Sequence, residues 1–248
     1  MKRRWLTALP VYNEAQYVHR VLDQVRQHSP EVLVVDDGSS DGTSQMLRQR
    51  EDIRLVRHAR NLGYGAALRS AFQYAIAHQY EFLVTIDCDG QHEPQRIPRF
   101  VAACRDWDMV SGSRYLKHFP GDSDPPAQRR WINQELTAEL NRRLSLSLTD
   151  AFCGFKAYQV RSLRSLRLTE DGYGMPLELW VQAAFAGWKI VEKPVPLVYL
   201  DETRSFGGSL DDATTRLAYY HDVLERSIAA ARSKSFGPVA ASCGDGGG

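Results

Sequence analysis

Short apolar runs alternate with segments of helical periodicity over the first half of the chain. Val32 to Val35 form a continuous β-branched and apolar run, which is typical of a parallel strand buried on both faces. Apolar residues from Val18 to Val25 instead recur at intervals of three and four residues, which predicts a helix. Pro10 is expected to end the first strand, because proline cannot donate a ladder hydrogen bond. Strands are predicted at 5–9, 31–36, 53–56, 83–86 and 108–112, with helices between them.

Turn-forming residues divide the second half of the chain. Residues 114–130 are rich in proline, glycine and aspartate and are predicted to form a long loop. Residues 188–200 read as a strand interrupted by two prolines, which favours an edge position. Further helices are predicted from Ile132 to Leu144, over 177–185 and over 209–230, and the glycine-rich residues after Ser233 are predicted to be a disordered tail.

The alternation of strands and helices predicts an α/β fold, with a mostly parallel central sheet and helices on both faces. In such sheets ligands bind beyond the carboxyl ends of the strands. Three of the predicted strands end in polar clusters, which are Tyr12 with Glu14, Asp36 with Asp37, and Asp87 with Asp89. We therefore expect these side chains to meet at one edge of the sheet.

Asp87 and Asp89 are the strongest candidates for chemistry. In an extended segment, side chains at positions i and i+2 point the same way, so the two carboxylates should project together. Gln91 would join them if the chain stayed extended. Carboxylate and amide oxygens suit a hard divalent cation such as Mg²⁺ or Mn²⁺. Taken alone, an Asp-x-Asp sequence after a strand also fits an ordinary polar loop.

Composition excludes several classes of protein. The chain has 248 residues, 43% of them hydrophobic and 25% charged, with a net charge of +1, so nothing in its overall charge suggests nucleic acid. The four cysteines form no CxxC pair, which argues against a zinc site and fits a reducing, cytoplasmic location. No apolar run has the length of a membrane span, so a peripheral contact is the membrane association left open.

Seven motifs occur in order along the chain. They are Pro10-Val11-Tyr12-Asn13-Glu14, the stretch from Val35 to Thr43, Asn61-Leu62-Gly63-Tyr64-Gly65, the stretch from Asp87 to Pro94, Gly112-Ser113-Arg114, the stretch from Asp150 to Lys156, and the stretch from Arg204 to Ser209. Together these motifs resemble glycosyltransferase family two, which has the GT-A fold. The subgroup that the sequence most resembles is the polyprenyl-phosphate (dolichyl-phosphate) mannosyl- or glucosyltransferases, and the resemblance covers about residues 5–225.

The resemblance implies a single GT-A domain over residues 1–233, followed by the tail at 234–248. Residues 1–112 would form the nucleotide-sugar-binding half and residues 113–233 the acceptor-binding half. A divalent cation, Mg²⁺ or Mn²⁺, would be held by Asp87, Asp89 and Gln91. The catalytic residues would be Asp87, Asp89, Arg114 and Arg204, and the nucleotide-sugar would be bound by Pro10, Tyr12, Glu14, Asp36, Asp37, Gly63, Asp87, Cys88, Asp89 and Lys156.

The reaction implied is inverting transfer of a hexose from a nucleoside-diphosphate sugar, with GDP-mannose the first choice, to a polyprenyl phosphate. An acceptor phosphate needs no strong base, only positioning by arginines such as Arg129, Arg130, Arg142 and Arg143, although each of these also fits a solvated helix face. Leu116, Phe119 and Trp131 are apolar residues beside Arg129 and Arg130 that would meet a bilayer if the loop reached one.

Two other functions stay open, and a third is disfavoured. A UDP-sugar donor with a saccharide or other hydroxyl acceptor would need a base, for which Asp150 and Glu178 are the candidates. A non-catalytic nucleotide-sugar-binding scaffold would not need the intact aspartate pair. A dinucleotide-dependent dehydrogenase is disfavoured, because its GxGxxG sequence should follow the first strand, where Pro10 stands instead.

Overall fold

A computed structural model describes residues 4–199 and 205–235 of the chain. Within these residues, seven strands form one sheet, and helices cover both of its faces. The strands are β1 (Trp5–Val11), β2 (Val32–Asp36), β3 (Arg54–Arg57), β4 (Phe82–Thr85), β5 (Met109–Ser113), β6 (Lys156–Gln159) and β7 (Ile190–Pro194). The helices are α1 (Val18–His28), α2 (Thr43–Arg48), α3 (Tyr64–Ala77), α4 (Ile97–Ala103), α5 (Ala127–Leu144), α6 (Val160–Leu163), α7 (Met175–Phe185) and α8 (Ala213–Ser235).

The strands lie in the order β3-β2-β1-β4-β6-β5-β7. Strands β3, β2, β1 and β4 are parallel to one another, and β5 is parallel to β7. Strand β6 is inserted between β4 and β5 and runs antiparallel to both. The mostly parallel sheet predicted from the sequence is therefore confirmed, and β7 is an edge strand as expected.

Strand β2 shows how the sheet divides the core. Its five residues are all buried, and they alternate between the two faces. Leu33 and Val35 belong to the core cluster that includes residues of α3, α5, α7 and α8, whereas Val32 and Val34 belong to the cluster that includes residues of α1 and α4. A strand covered on both faces needs apolar residues at every position, which explains the unbroken run in the sequence.

Pro10 lies inside β1 rather than ending it, so that expectation was wrong. Thr7 donates its N–H to Glu31 on the side of β2, and alternation places the nitrogen of Pro10 on the side of β4. The pairing of β1 with β4 ends at Ala8 opposite Thr85. The nitrogen of Pro10 therefore lies beyond the last residue that pairs with β4, so no ladder hydrogen bond is lost there. Strand β1 continues to Val11 through its pairing with β2.

The starts of α5, α7 and α8 differ from the sequence-based expectations, and α7 begins at Met175 rather than at residue 177. Helix α5 begins at Ala127, inside the segment expected to be a loop. A 3₁₀ turn over Pro94–Arg96 precedes α4, and another over Gly208–Asp211 precedes α8. Helix α8 continues to Ser235, two residues into the predicted tail, whose other residues lie outside the described part of the chain.

Candidate active site

A cleft of about 570 Å³ lies at the carboxyl edge of the parallel strands. Its walls come from the segments that follow β1, β2, β4 and β5, as expected for a sheet of this type. The structure thus brings motifs that are far apart in sequence into one site. Of the residues proposed from the sequence, the cleft is lined by Pro10, Tyr12, Glu14, Asp37, Gly63, Asp87, Cys88, Asp89, Gln91, Arg114 and Arg129.

Asp87 and Asp89 follow β4 and both line the cleft. The Tyr64 hydroxyl donates to Asp87 Oδ1 at 3.1 Å, and His92 Nε2 lies 3.3 Å from Asp87 Oδ2. Burial by itself would raise the pKa of Asp87, but the contacts with His92 and Tyr64 outweigh burial and lower it. Burial and the negative charge of Asp87 together raise the pKa of Asp89.

The chain turns directly after Asp89. Gly90 has a φ of 76°, and the backbone N–H of Gln91 donates to Asp89 Oδ1 at 2.9 Å. The extended geometry that would have aligned Gln91 with both aspartates therefore ends at Asp89, and Gln91 lines the cleft from the turn instead. Cys88, between the two aspartates in sequence, is buried, and burial raises the pKa of its thiol. The thiol therefore contributes an uncharged group to the cleft wall.

The aspartate pair fits a divalent cation that is shared with a ligand. In the described residues, no group of three His, Cys, Asp or Glu side chains is arranged to hold a metal ion unaided. Mg²⁺ is commonly bound by one or two carboxylates together with phosphate oxygens of the substrate. The repulsion that raises the pKa of Asp89 is also what a bound cation would relieve.

Asp36 lies beneath the cleft and is absent from its lining, contrary to the sequence-based expectation. Its carboxylate accepts the N–H of Ser39 at 2.9 Å and the hydroxyl of Ser44, and Arg57 Nε lies 3.4 Å away. Successive side chains at the end of a strand point to opposite sides, so only one of two adjacent aspartates can face the cleft. Asp36 therefore holds the loop that follows β2.

Asp37 faces the cleft and fixes a second loop. Its Oδ1 accepts the N–H of Leu62 at 2.9 Å, and its Oδ2 accepts the N–H of Gly63 at 2.8 Å. Gly63 has a φ of 108°, and a Cβ there would overlap the carbonyl oxygen of Asp171. Glycine is thus required where this loop enters α3.

Arg114 lines the cleft with its charge already paired. Its Nε and Nη2 donate to the two oxygens of Asp150 at 2.7 and 2.9 Å, and Asn133 donates to the same carboxylate at 2.8 Å. Burial would raise the pKa of Asp150, but Arg114 outweighs burial and lowers it to about 2. Arg114 therefore shapes the wall without adding the net positive charge expected of a phosphate contact.

Two other proposed residues, Lys156 and Glu178, are absent from the lining of the cleft. Lys156 is the first residue of β6, where its ammonium donates to the Cys153 carbonyl and burial lowers its pKa. Glu178 is buried and accepts the N–H groups of Thr169 and Glu170, both at 2.8 Å. Arg204 lies outside the described residues.

A cationic and aromatic wall forms another part of the same cleft. The guanidinium carbons of Arg129 and Arg216 lie 4.9 and 4.5 Å from the centre of the Phe206 ring, and all three residues line the cleft. Tyr173 contacts Phe206 edge-on and is stacked on Tyr64, which continues the wall to Asp87. Arg130, Arg142 and Arg143 are absent from the lining.

Sequence reasoning missed Arg216 and the aromatic residues. Arg216 follows the motif that starts at Arg204, but nothing in its spacing marks it as a cleft residue. Tyr64 lies between Gly63 and Gly65 in one of the seven motifs. A hydroxyl-bearing residue between two glycines was the feature that could have identified it as a cleft residue.

The chain belongs to glycosyl transferase family 2, whose sequence profile matches residues 7–167. It is therefore a glycosyltransferase. It is 34% identical over 227 residues to the undecaprenyl-phosphate mannosyltransferase of Micrococcus luteus, an alignment that covers 86% of this chain and 92% of that protein. It is 27% identical over 231 residues to the polyprenol monophosphomannose synthase of Mycolicibacterium smegmatis, covering 87% of this chain and 86% of that protein.

Solved structures support the fold. The glucosyl-3-phosphoglycerate synthase of Mycobacterium tuberculosis, crystallised with Mn²⁺, uridine diphosphate and glucosyl-3-phosphoglycerate, superposes with a TM-score of 0.69 at 19% identity. The superposition covers 92% of this chain and 81% of that one. The predicted GT-A fold is confirmed. None of the helices in the described ranges combines the length and the apolar character needed to cross a bilayer.

Proposed function

We propose that the protein transfers a hexose from a nucleoside-diphosphate sugar to a polyprenyl phosphate, with inversion and with the help of a divalent cation. Mannose from GDP-mannose is the donor group we favour, because two of the similar proteins are named as enzymes of mannosyl transfer to polyprenyl carriers. The observation that carries the proposal is that one cleft is lined both by a carboxylate pair and by a pair of arginines.

The carboxylate end suits the donor diphosphate. A divalent cation, Mg²⁺ or Mn²⁺, held by Asp87 and Asp89 would neutralise the charge that develops on the leaving nucleoside diphosphate. Gln91 lines the same cleft, and its side-chain oxygen would be a further ligand of the cation. Tyr64 and His92 hold the Asp87 carboxylate in place, which limits the reorganisation needed when the ligand binds.

The cationic end suits an acceptor that is already an anion. A phosphate oxygen of the acceptor would attack the anomeric carbon as the bond from that carbon to the diphosphate breaks, and no proton has to be removed. Arg129 and Arg216 would position the acceptor phosphate by charge-assisted hydrogen bonds. The two carboxylates that the sequence offered as bases are engaged elsewhere, Asp150 with Arg114 and Glu178 with a loop backbone, which supports an acceptor that needs no base.

A lipid acceptor would have to reach the cleft from a membrane surface. Leu116 and Trp131 are 44% and 50% exposed, and the exposed Arg130 precedes Trp131 on the first turns of α5. Apolar side chains beside basic ones are the composition that favours the interface of an anionic bilayer. We propose that this surface makes a peripheral contact with the cytoplasmic face of the membrane, and the buried free thiols Cys88, Cys104 and Cys153 support a reducing compartment.

A UDP-sugar donor is the second candidate, favoured by the uridine diphosphate in the superposed synthase. Transfer assays with GDP-mannose, UDP-glucose and UDP-N-acetylglucosamine would separate the donors. A short polyprenyl phosphate and the corresponding free polyprenol would separate a phosphate acceptor from a hydroxyl acceptor.

We expect metal-dependent transfer to the polyprenyl phosphate and none to the polyprenol. The matched variants are Asp89→Asn, which should lose transfer, and Asp124→Asn, which lies on an exposed loop and should keep it. Equal transfer to the polyprenol would contradict the proposed acceptor. Binding of a donor without transfer or hydrolysis under any condition would favour a scaffold.

A further inference from the structure

Three side chains from separate elements form a hydrogen-bonded row behind the cleft. Asp37 Oδ1 lies 2.6 Å from His58 Nδ1, and His58 Nε2 lies 2.8 Å from Ser70 Oγ. The side chains of His58 and Asp37 are 10% and 4% exposed, so bulk water competes little for these contacts. Asp37 follows β2, His58 follows β3, and Ser70 lies within α3.

The hydrogen bonds connect Ser70, His58 and Asp37 as in a Ser-His-Asp catalytic triad, but the surroundings of Ser70 do not suit a nucleophile. Ser70 lies in the interior of α3, where the backbone N–H groups are used by the helix, and it does not line the cleft. A nucleophile would need access to a substrate and free N–H groups to bind an oxyanion. The row therefore acts on the cleft through Asp37, the member that reaches it.

The hydrogen bonds to Asp37 leave one side of its carboxylate open. A carboxylate offers about four acceptor positions. Among the described residues, Oδ1 accepts from Leu62 and His58, whereas Oδ2 accepts from Gly63 alone. The remaining position is therefore on Oδ2, where a donor group of a ligand in the cleft can bind.

We propose that His58 is a positioning residue for nucleotide binding, and this rests on the proposed function. Its imidazole fixes the rotation of the Asp37 carboxylate, which in turn fixes the Leu62 and Gly63 N–H groups at the wall of the cleft. Ser70 completes the arrangement by donating its hydroxyl to Nε2, so that Nδ1 carries the hydrogen that Asp37 accepts. The ligand group that Asp37 recognises is an N–H or O–H donor of a nucleoside.

Two substitutions separate this role from simple space-filling. His58→Asn keeps an N–H donor close to the position of Nδ1, whereas His58→Leu keeps bulk and removes the donor. Titration with GDP and UDP in the presence of Mn²⁺ should give roughly 10-fold weaker binding of the preferred nucleotide for His58→Leu, because a hydrogen bond to a charged group is lost. His58→Asn should stay within about 3-fold of wild type, and His78→Leu, at an exposed histidine that ends α3, should be unchanged.

Steady-state kinetics and hydrogen exchange complete the test. In His58→Leu, KM for the donor should rise by about the same factor as the dissociation constant, with kcat less affected, because the residue acts on binding. The Leu62 and Gly63 amides should exchange faster in His58→Leu and at the wild-type rate in His58→Asn.

Wild-type affinity and wild-type exchange in a folded His58→Leu would overturn the inference, as would equal losses in the asparagine and leucine variants. Absence of nucleotide binding by the wild type would instead remove the proposed function. In that case the exchange rates of the two amides would still decide whether His58 holds the loop.

Discussion

Asp150 is fully buried, and its carboxylate bonds to Arg114, Asn133 and the backbone of Phe152. Removing one partner of a buried ion pair leaves an uncompensated charge, so Asp150→Ala should lower the free energy of unfolding by about 3–5 kcal/mol. Denaturant unfolding measures this, with the exposed Asp124→Ala as a control expected within about 0.5 kcal/mol of wild type. A loss below about 1 kcal/mol for Asp150→Ala would contradict the role given to this pair.

The same carboxylate makes stability depend on pH. The folded-state pKa of Asp150 is about 2, below the ordinary value of 3.8, so its contribution is present above about pH 4 and is lost as the pH falls toward 2. The free-energy difference between wild type and Asp150→Asn should shrink by about 2 kcal/mol between pH 5 and pH 2. Denaturant unfolding of both proteins over this range tests the sign, and a difference that stays constant or grows would contradict it.

At the scale of elements, the segment that leads into β6 packs closely against Asp87. A Cβ at Gly154 would overlap the carboxylate of Asp87. Gly154→Ala should therefore displace Asp87 and reduce metal-dependent transfer by roughly 10-fold or more, since a small displacement at a reacting centre is costly. The control is Gly121→Ala, where a Cβ would meet open space. The φ of +87° at Gly121 makes alanine cost folding stability there, but nothing at Asp87 moves, so the folded variant should retain transfer. Full transfer by Gly154→Ala would show that the geometry at Asp87 is not limiting.

Local patterns predicted most elements because a buried parallel sheet requires apolar strands and amphipathic helices at characteristic periods. The same patterns could not assign Asp36 and Asp37 to opposite sides of β2, since that depends on where the strand ends. They also could not place Pro10 inside β1, because the tolerance for proline there comes from the earlier departure of β4. Arg216 enters the cleft only through the packing of α8, which no local signal encodes. The division into a donor half at 1–112 and an acceptor half at 113–233 stays a prediction.

At the scale of the molecule, the proposed membrane contact and the cleft share the carboxyl edge of the sheet. Trp131→Ala should reduce pelleting with anionic vesicles, because an exposed indole contributes to binding at the interface. Trp107→Ala is the matched control, since Trp107 is 37% exposed but precedes β5 at the opposite edge. Equal pelleting of Trp131→Ala and wild type would contradict this surface as the site of contact.

The central claim is that Asp87 and Asp89 bind a nucleoside diphosphate through a divalent cation. The most direct test is calorimetric titration of wild type and Asp89→Asn with GDP, UDP, GDP-mannose and UDP-glucose, with and without Mn²⁺. We predict that nucleotides of one base bind the wild type in the presence of Mn²⁺, and that binding weakens by roughly 10-fold or more without Mn²⁺ or in Asp89→Asn. Failure of every nucleotide to bind the folded wild type with Mn²⁺, or equal binding by Asp89→Asn, would contradict the claim.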